Sequence, residues 1–157
     1  MAWVTLSDYR TAVVTGASSG IGAATVEALC GRGLEVHAVA RRADRLADLA
    51  KRTGCLARVL DVRDTEALIG SLGSLDADVL VNNAGLGRVA PTLADAAVED
   101  VDRILSTNVV AAVHAARAVL PGMRDRGRGH VVNVGSMAGL YPLASSVYGA
   151  SKGALHV

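Results

Sequence analysis

Tyr148 and Lys152, near the end of the sequence, are spaced for proton transfer. Four residues apart in a predicted helix, they lie on one face, one turn from each other. A tyrosine phenol ordinarily has a pKa of about 10, which makes it a poor proton-transfer group near neutrality. The charge of a neighbouring lysine ammonium favours the phenolate, so proton transfer to a carbonyl or from an alcohol becomes possible. Taken alone, such a pair is more often a chance arrangement on a helix surface.

A glycine-rich turn near the start of the chain has the composition of a phosphate-binding loop. Residues 12–22 read Ala-Val-Val-Thr-Gly-Ala-Ser-Ser-Gly-Ile-Gly, which predicts a buried strand, a turn and a helix start. Gly16, Gly20 and Gly22 let the backbone turn tightly and approach a ligand. The helix start offers free N–H groups and the positive end of a dipole to a phosphate or pyrophosphate. The spacing differs from the usual G-x-G-x-x-G, and an ordinary strand-to-helix turn is the alternative.

The elements that must position these residues alternate between strand and helix five times. The strands are predicted around residues 12–15 and at 34–40, 56–60, 78–82 and 130–134. The helices are predicted at 21–32, 43–53, after a capping Asp64, at 96–126 and from residue 146 or 147. This alternation predicts an α/β fold with a doubly wound parallel sheet in three α/β/α layers. With 157 residues, 51% of them hydrophobic, the chain is predicted to form one domain over 1–157.

Polar residues or glycine follow every predicted strand. They are Gly16, Arg41, Asp61, Asn83 and Ser136, in strand order. In doubly wound sheets ligands bind beyond the carboxyl ends of the strands. We therefore expect these residues to share one site.

Four segments of the chain resemble the short-chain dehydrogenase/reductase family. They are residues 15–22, 82–85 (Asn-Asn-Ala-Gly), 133–136 (Asn-Val-Gly-Ser) and 148–152 (Tyr-Gly-Ala-Ser-Lys), and Asp61, Val62 and Asn108 also match in the right order. The resemblance implies an NAD(P)-binding Rossmann fold and an oxidoreductase that transfers hydride between a nicotinamide and a carbonyl or secondary alcohol. The substrate would be a small molecule, and sugar, steroid, fatty acyl and xenobiotic carbonyls all remain open.

The same resemblance assigns roles to four catalytic residues. Tyr148 would be the general acid in carbonyl reduction and the base in alcohol oxidation, and Ser136 would hydrogen-bond the substrate oxygen. Lys152 would bind the nicotinamide ribose and favour the phenolate of Tyr148. Asn108 would hold a water that links Lys152 to solvent, although a polar residue that satisfies helix backbone is the alternative.

The resemblance also implies a set of cofactor contacts. Asp61 would accept a hydrogen bond from the adenine amino group, with Val62 beside the ring, while Asn82 and Asn83 could simply tie adjacent strands together. The implied cofactor-binding residues are Gly16, Ser18, Ser19, Gly20, Ile21, Gly22, Arg41, Arg42, Asp61, Val62, Asn83, Ala84, Gly85, Tyr148 and Lys152.

The choice of cofactor can be argued from the end of the second strand. A carboxylate there binds the ribose hydroxyls of NAD, whereas an arginine accommodates the 2′-phosphate of NADP. This chain has Arg41 and Arg42 at that point, which favours NADP(H). If both arginines are only the solvated end of a charged helix, NAD remains possible.

Composition argues against several other classes of protein. The formal net charge is +1 and no basic run is interleaved with aromatics, so neither nucleic acid nor a membrane surface is an expected partner. The start has no signal-peptide pattern, no uncharged apolar run is long enough to span a membrane, and a cytoplasmic protein is expected. Cys30 and Cys55 are expected to be free thiols, with a disulfide as the alternative, and no metal spacing occurs.

The sequence departs from the family pattern in two places. The interval from Ser136 to Tyr148 is slightly shorter than is usual, and Ser145 and Ser146 are weaker candidates for the serine role. The sequence stops soon after Lys152, so the C-terminal strands of the family fold are expected to be missing, as in a fragment of a homo-oligomeric parent. A non-catalytic NADP(H)-binding or regulatory module, an inactive fragment, and a lyase or epimerase on the same scaffold are the alternative functions.

Overall fold

Five parallel strands form the centre of the molecule in a computed structural model that describes residues 5–87, 92–141 and 146–156. The strands are β1 Thr11–Thr15, β2 Glu35–Ala40, β3 Leu56–Val59, β4 Val79–Asn82 and β5 His130–Asn133. The helices are α1 Gly20–Cys30, α2 Ala43–Thr53, α3 Thr65–Gly73, α4 Val98–Leu105, α5 Ala111–Asp125 and α6 Ser146–Gly153. Two short 3-10 helices are Leu6–Asp8 and Met137–Gly139, and Ser106–Val110 is a π-helical segment.

The strand order is β3-β2-β1-β4-β5, with all neighbours parallel. Within β1, Val14 lies opposite Ala38 of β2 and Val81 of β4. β2 and β3 lie on one side of β1, and β4 and β5 lie on the other side. The order therefore reverses between β1 and β4, where doubly wound sheets bind ligands, and the predicted sheet is confirmed.

The two faces of the sheet are covered by different helices because side chains alternate along each strand. Val14 packs with Val26 of α1 and Leu46 of α2 in one core. Val13 packs with Leu68 of α3 and with α5 residues in the other. Both valines are fully buried, and each such burial contributes about 1.5 kcal/mol or more to stability. The predicted three-layer arrangement is confirmed.

Local signals fixed several helix ends as expected. Asp64 caps α3, its carboxylate accepting a hydrogen bond from the backbone N–H of Ala67 at 3.1 Å. Gly54 ends α2 in the left-handed conformation at φ +76°, which favours glycine. The predicted ranges of β2, β3, β4 and β5 each differ from the structure by one residue at one end, because pairing with neighbouring strands decides where a strand ends.

The long helix predicted at 96–126 is interrupted by the π-helical segment Ser106–Val110. Asn108 is the buried residue of this segment, and π turns of this kind occur often at functional sites. By length and composition the whole helix, Val98–Asp125, could cross a membrane. Core helices pass the same test, and Ala111, Ala115 and Val119 of this one are buried against the sheet.

Candidate active site

A cleft of about 270 Å³ opens where the carboxyl ends of β1 to β4 meet. Ala40, Leu60 and Thr107 line part of it. The sequence-predicted residues in its lining are Gly16, Ser18, Arg41, Arg42, Asp61, Val62, Ala84 and Gly85. The cleft thus brings together residues that follow four different strands, as expected for a site at this edge of the sheet.

The glycine-rich turn lies against the turn that follows β4, with no room for side chains between them. A Cβ on Gly16 would lie 2.8 Å from the Cα of Ala84, and a Cβ on Gly22 would lie 2.5 Å from the Nδ2 of Asn83. Gly16 has φ +67° and Gly20 has φ +56°, in the region that favours glycine. Space within 4 Å of Gly20 is open, so the backbone there can approach a ligand.

Hydrogen bonds lock the two turns together. The hydroxyl of Thr15 accepts from the backbone N–H groups of Asn83 at 3.1 Å and Ala84 at 3.0 Å. The amide of Asn83 donates to the carbonyl of Thr15 at 2.9 Å and to that of Gly16 at 3.3 Å. Asn82 likewise donates to the Oδ1 of Asn133 at 3.0 Å, which ties β4 to β5. The tying role considered for both asparagines is therefore present in the structure.

Directly after Ser18, which lines the cleft, α1 begins with its first-turn N–H groups unused by the capping side chain. Ser19 occupies the N-cap position but makes no side-chain capping hydrogen bond. Its hydroxyl instead accepts from Nη2 of Arg42 at 2.7 Å, and Ser18 accepts from Nε and Nη2 of Arg42 at 3.0 and 2.8 Å. Ile21 is largely exposed beside them, at 65% of its maximal area. The resulting surface combines a guanidinium, two hydroxyls and a helix N-terminus, all of which suit a phosphate.

Arg41 and Asp61 also line the cleft. Nη1 of Arg41 is 3.8 Å from Oδ2 of Asp61, and its side chain is 59% exposed. Asp61 is paired more closely with Arg63, whose Nη2 donates to Oδ2 at 2.6 Å and whose Nε lies 3.1 Å from both oxygens. The hydrogen bond from the Arg63 side chain is the main cause that holds the pKa of Asp61 below its ordinary value. Asp61 is therefore a charged group whose carboxylate is already engaged.

Behind the cleft, Lys152 is buried and its ammonium donates to the backbone carbonyl of Val134 at 2.6 Å. Burial lowers the pKa of this lysine because desolvation disfavours the charged form. A Cβ on Gly85 would lie 3.5 Å from Nζ of Lys152 and 3.4 Å from Oδ1 of Asn108. Both polar groups therefore border a residue that lines the cleft.

Asn108 joins three parts of the chain. Its Oδ1 accepts from the backbone N–H of Leu86 at 2.7 Å, and its Nδ2 donates to the carbonyl of Leu86 at 3.0 Å and to the hydroxyl of Ser151 at 2.9 Å. Ser151 in turn donates to the carbonyl of Tyr148 at 2.8 Å. The side chain thus satisfies loop backbone, not the helix backbone of the alternative considered from sequence, and it fixes the π-helical segment to α6.

Ser136 and Tyr148 lie on elements in direct contact. Ser136 follows β5 and caps the 3-10 helix Met137–Gly139, its hydroxyl accepting from the N–H of Ala138 at 3.2 Å. A Cβ on Gly139 would lie 2.7 Å from the backbone N of Gly153, and one on Gly149 would lie 2.9 Å from the carbonyl of Ala138. The 3-10 helix therefore packs backbone to backbone on α6, which carries Tyr148 in its first turn.

Comparison with known proteins identifies the family of this chain. The family model for short chain dehydrogenases matches residues 10–157. The chain belongs to the short-chain dehydrogenase family. It is 42% identical over 148 residues to an NADP-dependent 3-hydroxy acid dehydrogenase, YdfG, of Salmonella typhi, covering 89% of this chain and 60% of that protein.

Solved structures of short-chain dehydrogenases share this fold. Serine dehydrogenase from Escherichia coli is 40% identical with a TM-score of 0.86, over 91% of this chain and 70% of that one. A closed form of serine dehydrogenase complexed with NADP+ also has a TM-score of 0.86 at 40% identity, with 61% of its chain covered. NAD+-bound xylitol dehydrogenase is 33% identical with a TM-score of 0.85, over 93% of this chain and 60% of that one. The chain thus spans about 60% of the length of its curated relatives, in agreement with the expected absence of the C-terminal part of the fold.

The structure shows three residues that hold predicted site residues in place and whose roles were not predicted from the sequence. They are Thr15, Arg63 and Ser151. A signal existed for Arg63, because an aspartate side chain commonly accepts from the backbone two residues on, and Arg63 N donates to Asp61 at 3.0 Å. Thr15 bonds to Asn83, 68 residues away, and Ser151 bonds to Asn108, 43 residues away, and both contacts are beyond the reach of local patterns.

Some expected positions stay outside this description. Ser145 lies outside the described residues, and the side chain of Ser146 is likewise not described. Leu140 and Tyr141, which follow the 3-10 helix Met137–Gly139, are exposed. Within residues 5–87, 92–141 and 146–156, no group of three or more histidine, cysteine or acidic side chains could hold a metal ion.

Proposed function

We propose that the protein is an NADP(H)-dependent oxidoreductase that transfers hydride between the nicotinamide and a carbonyl or secondary alcohol carbon. The observation that carries the proposal is the cleft, which is lined by Gly16 and Ser18 of the glycine turn and by both arginines and adjoins the N-terminus of α1. The turn fits a pyrophosphate because Gly20 leaves its surroundings open. The arginines fit a 2′-phosphate, and NADP is named for several relatives.

The residues of this chain would hold the substrate oxygen and move the proton. When bound, NADP(H) supplies or accepts the hydride. We assign the proton to Tyr148, whose phenol donates to the carbonyl oxygen during reduction and whose phenolate accepts from the alcohol during oxidation. Ser136 would hydrogen-bond the same oxygen, and the Lys152 ammonium would favour the phenolate.

A second candidate function is NADP(H) binding without turnover. One observation favours it, namely that the Lys152 ammonium donates to the Val134 carbonyl at 2.6 Å. An ammonium engaged in this way has fewer donors left for a ribose or for the stabilisation of a phenolate. The two functions differ in whether this chain oxidises an alcohol once the cofactor is bound.

The test is calorimetric titration of the chain with NADPH and NADH. We expect NADPH to bind at least about tenfold more tightly, a difference of about 1.4 kcal/mol. Gly22→Asp should abolish binding, because its Cβ would lie 2.5 Å from the Gly16 carbonyl oxygen and its charge would repel a phosphate. Gly70→Asp is the matched control, since a Cβ on Gly70 meets nothing within 4 Å.

Two further readouts keep the proposal open to refutation if Gly22→Asp fails to fold. Arg41→Asp should shift the preference from NADPH towards NADH, and NADP+ reduction at 340 nm should be followed with serine and 3-hydroxybutyrate as alcohol probes. Loss of turnover in Tyr148→Phe with NADPH binding retained supports the enzyme. Failure of the folded chain to bind either cofactor contradicts both functions, and binding without any turnover favours the second.

We also propose that the protein acts in the cytoplasm and as a homo-oligomer. Both cysteines, Cys30 and Cys55, are free thiols, as is usual in a reducing compartment. The long helix exposes apolar side chains, among them Val110, Val113 and Leu120. A row of exposed apolar residues on one helix supports association with a second copy.

A further inference from the structure

Arg63 is not among the residues that contact a cofactor in the proposal above. It pairs, however, with Asp61, a charged residue in the lining of the cleft. Asp61 and Arg41 both line this cleft. Arg63 belongs to the lining of a neighbouring polar groove, which it shares with Asp61. Asp61 is thus the boundary between the two spaces, with one guanidinium on each side.

The position of Arg63 is fixed by the turn that leaves β3. The backbone N–H of Asp64 donates to the carbonyl of Asp61 at 3.0 Å, which closes the turn. Within it, the N–H of Arg63 donates to Oδ1 of Asp61 at 3.0 Å. The guanidinium adds contacts to both carboxylate oxygens, the shortest of them 2.6 Å, so main chain and side chain hold the same carboxylate.

Arg41, by contrast, is only loosely tied to that carboxylate. Its Nη1 lies 3.8 Å from Asp61, beyond hydrogen-bonding distance, and 59% of its side chain is exposed. The guanidinium is therefore available to a ligand in the cleft. A phosphate bound there, however, would lie close to the carboxylate of Asp61, and two like charges at such a separation repel.

The neighbouring groove adds to the electrostatic repulsion of a phosphate, because its lining is rich in carboxylates. Its lining includes Asp64, Glu99 and Asp102 in addition to Asp61, against the guanidinium groups of Arg63 and Arg103. Removal of Arg63 would leave this wall with a larger excess of negative charge. The repulsion from this excess negative charge would be stronger for a ligand that carries one more phosphate.

We infer that Arg63 is a specificity-determining residue that neutralises Asp61 and so lets Arg41 accept a 2′-phosphate in preference to a 2′-hydroxyl. The inference rests on the proposed NADP(H) function and adds a residue that selects the cofactor without touching it. Arg63 acts through Asp61, whereas Arg41 and Arg42 act on the ligand directly. The effect is therefore expected in the discrimination between phosphorylated and unphosphorylated ribose, not in the binding of the adenosine itself.

The test uses two probes that occupy only the adenosine half of the site, adenosine 2′,5′-bisphosphate and 5′-AMP, titrated calorimetrically into the 157-residue chain. The measured quantity is the ratio of their affinities. Arg63→Gln should lower the preference for the bisphosphate by about tenfold. Arg52→Gln is the matched control, since it removes the same charge from an exposed pair with Glu27 between α1 and α2, and it should leave the ratio unchanged.

A double variant separates charge neutralisation from direct contact. Arg63→Gln combined with Asp61→Asn removes both charges, so the preference should return to within about threefold of the wild-type value. A ratio that stays low in the double variant would mean that Arg63 touches the phosphate itself, and would overturn the inference. So would a single variant with an unchanged ratio. If the wild-type chain shows no preference for the bisphosphate, the NADP(H) assignment fails, and this inference fails with it.

Discussion

Replacement of Asn108 by alanine should destabilise the protein far more than an ordinary polar substitution does. Three hydrogen bonds of this buried side chain are lost, two to the backbone of Leu86 and one to the hydroxyl of Ser151, at 2.7 to 3.0 Å. Asn108 is 1% exposed, so water cannot replace the lost partners freely. At about 1 kcal/mol for each bond, the free energy of unfolding should fall by about 3 kcal/mol.

Urea unfolding followed by far-UV circular dichroism measures this change. With a slope near 2 kcal/mol per molar urea, a loss of about 3 kcal/mol moves the midpoint by about 1.5 M at constant slope. Asn133→Ala is the matched control, because that exposed amide accepts a hydrogen bond from Asn82 at 3.0 Å, and its loss should cost about 1 kcal/mol or less. A loss for Asn108→Ala no larger than the control's would refute the network, and with it the view that Asn108 joins the π-helical segment to the loop and α6.

Two further predictions concern acid stability and association. Burial of Asp78 opposes its charged form. Hydrogen bonds from the Arg10 N–H and the Arg128 side chain outweigh this effect, so the pKa of Asp78 is lowered. The contribution of Asp78 to folding stability is therefore present above about pH 4 and is lost as the pH falls through the lowered pKa. Asp78→Asn should cost about 1 to 2 kcal/mol at pH 7 and flatten the acid limb of a stability–pH curve, and an acid limb identical to wild type would contradict the assignment. Val113 on α5 is 58% exposed and belongs to the proposed association surface. Val113→Arg should therefore shift sedimentation-velocity profiles from an oligomer towards the monomer. A wild-type chain that already sediments as a monomer would argue against the proposed homo-oligomer.

Most of the fold could be predicted because its signals are local. The helix predicted at 43–53 coincides with α2, since its charged and apolar residues alternate with helical period and Gly54 ends it. The start of β2 was predicted one residue too early, because it depends on pairing with β1. β1 begins at Thr11, which lies opposite Glu35, so Leu34 falls outside the ladder. Strand ends are therefore decided by tertiary pairing, and composition alone places them only approximately.

The parts that escaped prediction depend on contacts between distant residues. Apolar residues continue at helical spacing through the long helix, so nothing local announces the π-helical segment Ser106–Val110. Its buried Asn108 bonds to Leu86, 22 residues earlier, and to Ser151, 43 residues later. The residue types at the site were visible in the sequence, whereas the engagement of Lys152 by the Val134 carbonyl required the packed structure.

The strand order has a consequence for synthesis on the ribosome. Chains emerge from the N-terminus and domains fold as they become available. In the order β3-β2-β1-β4-β5, each strand after the first pairs with one that has already been made: β2 and β4 with β1, β3 with β2, and β5 with β4. None of these five described strands has to insert between two others that are already paired. The sheet can therefore grow outward from β1 at both edges as translation proceeds, with β1 as the template for β2 and β4, which in turn become the templates for β3 and β5.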